Sequence, residues 1–358
     1  MRRRFDIQPT EDLSVFAAVC GTPGLSADTV AAHRADGHLA ALDPAGAVAA
    51  HCSLWWRSAP PLPGHRPGVI GHYAAGSAAA GAALLKAACR HLAARGCTAA
   101  VGPMDGNTWR SYRLVTRTGP RPAFFLEPGD PLEWAGHFEL SGFKPLARYF
   151  SAMTGRLESP PPPAPEDPGR RTGRGILLRP LEPDRLEEEL GRIYPLCLEC
   201  FKDNLFFTPI PEEQFVAMHR PLRPHLIPGL SWVAEFGKTA IGLAFALPDI
   251  LQARQGETPD TVVLKTLAVA PQFRGAGLGQ ALVAACQSAA AGRGFRHVIH
   301  ALIREGNPSG RISARFARPI QYQQAPPNAA STTPETKAES KAIRSRKGIG
   351  CIWSISGL

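Results

Sequence analysis

The stretch that decides the fold is residues 262–287, VVLKTLAVAPQFRGAGLGQALVAACQ. It begins with an apolar, β-branched run ending at Ala270-Pro271, which is typical of a buried strand closed by a proline. A glycine-spaced loop follows, and then an Ala- and Leu-rich segment with helical periodicity. A strand, a glycine loop and a helix in this order present free backbone N–H groups and a helix N-terminus to a phosphate. The sequence therefore predicts an anion-binding loop here.

Three kinds of phosphate-binding loop have this arrangement. A Walker loop ends in Gly-Lys-Ser/Thr, whereas Leu278-Gly279-Gln280 offers no lysine and no hydroxyl. A dinucleotide-binding loop has the spacing G-x-G-x-x-G and an acidic residue about 20 positions further on. In this chain the spacing is G-x-G-x-G, and the residues after the helix are basic. The third pattern, Q-x-x-G-x-G, runs from Gln272 to Gly277, and together with the strand and V-A-P it resembles the coenzyme A pyrophosphate loop of the GNAT acyltransferase superfamily.

This resemblance implies an N-acetyltransferase that uses acetyl-CoA as cosubstrate and no metal. The acceptor amine would attack the thioester directly, without a covalent enzyme intermediate. In such proteins the strand before the loop pairs with the pantetheine amides and polarises the thioester carbonyl, a role that falls on Leu267, Ala268 and Val269. Asn307 matches a position that contacts the cofactor arm, although it is equally suited to cap a helix. The loop residues that would hold the pyrophosphate are Gln272, Arg274, Gly275, Ala276, Gly277, Leu278 and Gly279.

The general acid and base are less evident from the residues. Family members often place an acid tyrosine on the helix after the asparagine, where this chain has Phe316. His300 and Glu305 are candidate bases, although each also suits a polar position at the end of a strand. Lys265, in the middle of the strand, is interpreted as an edge charge. The acceptor, a small molecule or a peptide amine, cannot be read from these residues.

Bulk composition excludes several classes of protein. With 358 residues, 44% hydrophobic and 20% charged, the chain is long and apolar enough for two globular domains. The sequence has no run of 18 apolar residues, so it predicts no membrane span. The basic residues at its start are not followed by the apolar segment of a secretion signal. The net charge of +10 suits either nucleic acid or coenzyme A, but the arginines are not interleaved with aromatic residues. We therefore expect a cytoplasmic protein that binds neither nucleic acid nor membrane.

The order of predicted elements repeats along the chain. Residues 68–96 align with residues 261–292, a displacement of about 195 residues that indicates an internal duplication. The fold class is α/β (α+β), with two GNAT-like domains, each a mixed, mostly antiparallel sheet flanked by helices. In the first copy the loop at residues 75–81 lacks the glycine pattern and the arginine, which predicts a degenerate cofactor site. A short helix is predicted over residues 108–115.

Composition also sets the predicted boundaries. Residues 1–153 form the degenerate domain, residues 154–173 a Pro-rich linker and residues 174–320 the acyl-CoA-binding domain. Residues 321–358 form an atypical tail that is rich in Pro, Ser and Thr and then in basic residues, which predicts disorder up to about Arg346. This tail lacks the strands with which GNAT domains end, so we expect an unpaired strand at the edge of the sheet. The alternative to an enzyme is a non-catalytic GNAT-like protein that binds coenzyme A or a partner.

Overall fold

The structure, a computed structural model, describes residues 5–17, 19, 25–117, 122–157, 175–317 and 347–356. The strands of the first half are β1 (Asp6–Pro9), β2 (Gly37–Leu42), β3 (Val48–Trp55), β4 (Pro67–Ala75), β5 (Ala99–Gly102), β6 (Leu114–Val115) and β7 (Lys144–Met153). Its helices are α1 (Ala27–Ala32), α2 (Ala78–Ala94) and α3 (Glu133–Leu140).

The second half is built from elements of the same kinds. Its strands are β8 (Ile176–Pro180), β9 (Trp232–Phe236), β10 (Thr239–Pro248), β11 (Thr261–Val269), β12 (His297–Arg304) and β13 (Lys347–Ser356). Its helices are α4 (Leu186–Phe201), α5 (Glu212–His219), α6 (Ile250–Arg254), α7 (Leu278–Gly292) and α8 (Pro308–Phe316).

The two halves repeat one topology, which confirms the tandem organisation expected from the sequence. In the first half, β1 to β4 pair antiparallel in chain order, and β4 pairs parallel with β5 across the crossover helix α2. In the second half, β8 to β11 pair antiparallel in the same way, and β11 pairs parallel with β12 across α7. Each half is thus a mixed, mostly antiparallel sheet flanked by helices.

Local sequence explains why the crossover helices form where they do. Ser77 caps α2 by accepting a hydrogen bond from the Ala80 N–H, and the apolar face of α2 packs on the sheet. Leu282 of α7 is fully buried against β10, every residue of which after Thr239 is buried. Each half has its own hydrophobic core, because the two large buried clusters draw their members from residues 19–143 and 176–298 respectively.

The last strand of each half lies against the other half. β7, which ends the first half, pairs antiparallel with β12 of the second half. β13, which ends the second half, pairs antiparallel with β5 of the first half, and β7 and β13 also pair with each other. The strand order is therefore β1-β2-β3-β4-β5-β13-β7-β12-β11-β10-β9-β8, one continuous sheet. Strand exchange joins the halves through backbone hydrogen bonds, a contact that no local pattern indicates.

Three expectations are corrected by this arrangement. The tail contains a strand that was not expected, because residues 347–356, beyond the predicted disorder, form β13; residues 318–346 and residues 158–173 of the predicted linker lie outside the described residues. The expected unpaired edge is occupied, because β12 pairs with β7, and β13 lies between β5 and β7. Residues 108–115 are not a helix. Tyr112 bridges to Met104, and Leu114 and Val115 form β6, because pairing with β13 replaces the local helical hydrogen bonds. The domain boundaries at 153, 173 and 320 stay predictions.

Candidate active site

The glycine loop has the conformation that an anion site requires. Gly275 and Gly277 have φ angles of +83° and +82°, a region that favours glycine, and Gly277 is the N-cap of α7. A Cβ on either residue would meet nothing within 4 Å, so the loop is open to solvent. The first N–H groups of α7 have no acceptor within the helix and point out of its N-terminus. Arg274 is exposed, and its Nε donates to the Val269 carbonyl at 3.0 Å.

Not every predicted loop residue faces outward. Gln272 and Ala276 are exposed, whereas the Leu278 side chain is 1% exposed and belongs to the core. Gly279 is buried, and a Cβ there would lie 2.8 Å from Ile312 Cδ1 on α8. Leu278 and Gly279 can therefore contribute only backbone N–H groups to a ligand.

The edge of β11 opens directly before this loop. β11 pairs with β10 as far as Val269 opposite Gly242, but with β12 only from Thr261 opposite His297 to Leu264 opposite His300. Among the described strands, residues 266–269 of β11 are therefore paired on the β10 side only, and Lys265 has no residue opposite it on either side. No strand covers the β12 side of residues 265–269, where an extended ligand can pair; the Val269 carbonyl there already accepts the hydrogen bond from Arg274 Nε. The predicted residues Leu267, Ala268 and Val269 lie in this open segment.

The open segment lines a cavity of about 910 Å³ that both halves enclose. Residues 264–267 of β11 and residues 300–304 of β12 form one wall. Residues 108–114 and 126–130 of the first half form much of the other wall, together with Tyr149 of β7. The exchanged strand β7 therefore brings side chains of the first half to the predicted acyl-transfer site of the second half.

Lys265 projects into this cavity from a β-bulge. The register of β10 with β11 shifts between Phe245 and Ala246, so Lys265 has no residue opposite it on β10. Burial lowers the pKa of the Lys265 amine. Its Nζ lies 3.5 Å from Nε2 of His219, whose Nδ1 lies 2.8 Å from the Phe215 carbonyl. With the Nδ1 proton donated to that carbonyl, the His219 Nε2 lone pair faces the lysine. The sequence interpretation of Lys265 as an edge charge missed this environment, and a lone lysine in an apolar strand was the only available signal.

The two predicted bases lie in unequal surroundings. His300 lines the cavity but is 4% exposed, with Nε2 at 3.1 Å from Gln287 Nε2 and Nδ1 at 2.9 Å from Ser313 Oγ. Burial lowers its pKa to about 4. Glu305 lies on a separate depression beside Arg148 and Arg304, outside the wall of the main cavity. Neither arrangement favours proton transfer at the open edge of β11.

Asn307 lies on the cavity wall and caps α8. Its Oδ1 accepts hydrogen bonds from the Ser309 N–H at 2.9 Å and from the Ser309 hydroxyl at 2.8 Å. This cap and the Pro308 that follows it account for the start of α8. The capping role that the sequence left open is therefore observed, and a contact to the cofactor arm stays a prediction.

A buried polar cluster of the first half borders the same cavity and was not foreseen. His33 Nδ1 lies 2.7 Å from His72 Nε2, and His72 Nδ1 lies 2.8 Å from Ser53 Oγ. Asp105 Oδ1 accepts the His72 N–H at 2.6 Å. The ligand atoms of His33, His72 and Asp105 lie within 4.8 Å of one another, a spacing that a metal ion could bridge. Arg110, whose guanidinium donates to the carbonyls of His33 and Asp105, adds a positive charge that disfavours a cation.

The buried histidines predict that the protein loses stability on acidification from pH 6.5 towards pH 4. Above pH 6.5 these histidines are neutral in both the folded and the unfolded protein. Below pH 6.5 they bind protons in the unfolded protein but stay neutral in the folded one, so the free energy of unfolding falls. Each histidine contributes a slope of up to about 1.4 kcal/mol per pH unit. The groups, with pKa values lowered mainly by burial, are His33, His51, His219 and His300 at about 4 and His72 at about 3.

Three carboxyl groups act in the opposite direction. Burial raises the pKa of Asp105 to about 7, that of Asp130 to about 6 and also that of Asp249, so their contribution to stability grows on acidification. Five histidines outweigh three carboxyl groups, and a net loss of stability is expected. Urea unfolding at pH 7 and pH 5 measures it, with an unchanged m-value as the control for a common unfolded state. Equal or greater stability at pH 5 would contradict the buried neutral state of the histidines.

Comparison with known proteins agrees with this geometry. The family model described as "Acetyltransferase (GNAT) family" matches residues 192–315, which contain the open strand, the glycine loop and α7. The matched residues lie in the second half of the chain and include the part of the sequence that carries the Q-x-x-G-x-G loop.

One curated relative and two solved structures are similar over larger parts of the chain. A bacterial ceramide synthase of Caulobacter vibrioides is 28% identical over 177 residues, which cover 48% of this chain and 44% of that protein. The match therefore spans less than half the length of this relative. A GCN5-related N-acetyltransferase from Sphaerobacter thermophilus is 16% identical with a TM-score of 0.49, covering 98% of this chain and 95% of that one. A tandem GNAT protein from the clavulanic acid biosynthesis pathway is 11% identical with a TM-score of 0.46, covering 99% of each chain.

Among the described helices, none is both long enough and apolar enough to cross a membrane. The location of the protein in the cytoplasm stays a prediction.

Proposed function

We propose that the chain is an acyl-CoA-dependent N-acyltransferase with its active site at the open edge of β11, and that acetyl-CoA is a donor. The observation that carries this proposal is the early separation of β11 from β12 after Leu264. It leaves residues 265–269 of β11 without a partner strand on the β12 side, directly before the glycine loop, and residues 264–267 line the large cavity. A pantetheine arm is an extended chain with amide groups, and it would complete β11 as an added strand.

The glycine loop before α7 is suited to bind the pyrophosphate of the same coenzyme A molecule. Coenzyme A carries a pyrophosphate, and the N-terminus of α7 offers unpaired N–H groups and the positive end of the helix dipole. The positive φ angles of Gly275 and Gly277 leave no Cβ between the backbone and the ligand. Arg274 and the other predicted loop residues remain proposals for this contact. With the pyrophosphate here, the thioester would lie along β11 towards Lys265.

Lys265 is the group that we propose as the proton acceptor. An ammonium acceptor must lose a proton before its nitrogen can attack the thioester carbonyl, and burial favours the neutral form of the Lys265 amine. His219 Nε2, 3.5 Å away, can hold the lysine in position. Attack forms the C–N bond, the tetrahedral intermediate expels the thiolate of coenzyme A as the C–S bond breaks, and the thiolate takes up the proton that the acceptor nitrogen loses on becoming an amide. A backbone N–H of residues 265–269 would stabilise the oxyanion.

The relative from Caulobacter vibrioides bears on the choice of substrates to test. It is named a ceramide synthase, and a ceramide is the amide of a fatty acid with a long-chain amino alcohol. Amide formation on an amine agrees with N-acyl transfer in this cavity. The donors to be tested are therefore acetyl-CoA and longer acyl-CoAs, and the acceptors include small amines, peptides and long-chain amino alcohols.

Calorimetric titration of acetyl-CoA into the full chain, followed by a thiol-release assay with pooled amines, tests the proposal. Saturable binding at about one site per chain, with thiol release above the amine-free blank, is the expected result. Binding without turnover for any donor and acceptor would favour the alternative of a non-catalytic coenzyme A-binding protein. The absence of binding to any acyl-CoA would overturn the proposal.

A further inference from the structure

Two arginines on the cavity wall carry buried nitrogen atoms without partners. Nε and Nη1 of Arg113 and Nε of Arg304 are shielded from solvent and have no hydrogen-bond partner within the part of the chain that the structure describes. Both residues line the 910 Å³ cavity that Lys265 also lines. Buried polar groups of native proteins are almost always paired, and an unpaired buried charge costs several times more than an unpaired neutral group. Since no described residue pairs with these atoms, they are available to hydrogen-bond a bound ligand.

Both arginines neighbour one aromatic pair. The Arg113 guanidinium carbon lies 4.1 Å from the ring centroid of Tyr112 and 4.7 Å from that of Tyr149. Arg304 on β12 is the register partner of Tyr149 on β7. Burial raises the pKa of Tyr149, and the positive charges of both arginines act against that rise. Two like charges thus lie beside Tyr149 on the wall of the cavity.

The backbone holds Arg113 in this position at a cost. Arg113 has a φ angle of +89°, a left-handed conformation that a non-glycine residue rarely adopts, and its N–H donates to the Pro103 carbonyl at 3.0 Å. Strained residues of this kind concentrate at ligand sites. Backbone strain, the burial of charge and the repulsion between two cations all destabilise the arginine pair. One bound anion would offset the burial of charge and the repulsion.

We propose that Arg113 and Arg304 bind the anionic group of the acceptor, a carboxylate or a phosphate. The planar guanidinium fork matches both groups through paired N–H···O hydrogen bonds. The acceptor is then an amine that also carries an acidic group, such as an amino acid or a phosphorylated amino alcohol. The existence of the anion site is inferred from the arginine pair alone. Its assignment to the acceptor rests on the proposed acyl transfer in this cavity.

The test is a calorimetric titration of inorganic phosphate and of acetate into the full chain at constant ionic strength. The variants are Arg113→Met and Arg304→Met, with Arg254→Met as the matched control because Arg254 is exposed and outside the cavity. Gly277→Glu is included to block phosphate binding at the α7 loop. Loss of one charge-assisted contact is expected to weaken anion binding by about tenfold or more in each cavity variant, with no change in the Arg254 variant. The Gly277 variant should lose only phosphate binding at the α7 loop and keep the binding that depends on the two arginines. Arg113→Lys and Arg304→Lys, which keep the charge without the fork, replace either variant that fails to fold and should show a smaller loss.

The outcomes separate the two proposals. No saturable binding of either anion, equal binding in the cavity variants, or binding lost only in Gly277→Glu would overturn the anion site. These results do not depend on whether acetyl-CoA binds, which tests the proposed function instead. If acyl transfer occurs, phosphoethanolamine and β-alanine should have lower KM values than ethanolamine and propylamine, and Arg304→Met should remove the difference. Preference for the uncharged amines would exclude the arginine pair from acceptor binding.

Discussion

Gly277→Glu is expected to abolish acetyl-CoA binding, raising Kd by about 100-fold or more, because several charge-assisted hydrogen bonds of about 1.5–3 kcal/mol each are lost. Gly277 is the N-cap of α7, and a side chain there enters open space, so the substituted carboxylate can occupy the anion position itself. It would also repel the pyrophosphate. Calorimetric titration of acetyl-CoA into wild-type and variant protein measures the effect.

The backbone strain of this variant has a matched control. Gly256, just after α6, has a φ angle of +83°, and a Cβ there would also meet nothing within 4 Å, but it lies outside the glycine loop. Gly256→Glu therefore carries the same left-handed penalty of about 1–2 kcal/mol without placing a charge at α7. Acetyl-CoA affinity should be retained in Gly256→Glu. Unchanged affinity in a folded Gly277→Glu protein would remove the loop from the cofactor site.

Lys265→Met is expected to lower kcat by about 10²–10⁴-fold, the usual contribution of a general base, while Kd for acetyl-CoA changes only a few-fold. The reason is that the cofactor contacts assigned to β11 are backbone contacts, which the substitution leaves in place, whereas the buried amine is removed. Thiol-release kinetics with the best acceptor, together with calorimetric Kd values, measure both quantities.

Two further variants distinguish base catalysis from charge. Lys265→Arg keeps a cation but cannot give up its proton, so it should be as inactive as Lys265→Met. Lys238→Met, in the exposed turn between β9 and β10, should have wild-type activity. Restored activity in Lys265→Arg would show that a positive charge, and not a base, is needed at this position. Wild-type kcat in Lys265→Met would transfer the role of the base to another cavity residue.

The strand exchange places the proposed chemistry between the two halves. Tyr149 of β7 and residues 108–114 of the first half face the open segment of β11 in the second half. A first copy that has lost the glycine loop can therefore still supply the acceptor side of the cavity. The sequence suggested that the first copy either lines the acceptor pocket or contributes only stability, and the position of these residues supports the former.

Sequence alone determined the features that depend on local signals. The bounds of α2 and the start of α7 follow from a cap and from glycines, and α4 follows from its apolar periodicity, all of which act within a few residues. The loop from Gln272 to Gly279 was predictable for the same reason, since glycine spacing determines which backbone conformations are open to it. The duplication was visible because both copies repeat one order of local elements.

Only the tertiary structure decided the rest, because it depends on contacts between residues far apart in the chain. β13 is formed by pairing with β5 and β7, and residues 112–115 become extended by pairing with Met104 and β13 instead of forming a helix. In the sequence Lys265 is an ordinary strand residue, and only the folded chain places it at a bulge beside His219. Arg113 and Arg304, 191 positions apart by their numbers (304 − 113), meet at Tyr149 only through the β7–β12 register. Local propensity carries no information about such pairings, whose free energy comes from burial and hydrogen bonds formed after the chain has closed long loops.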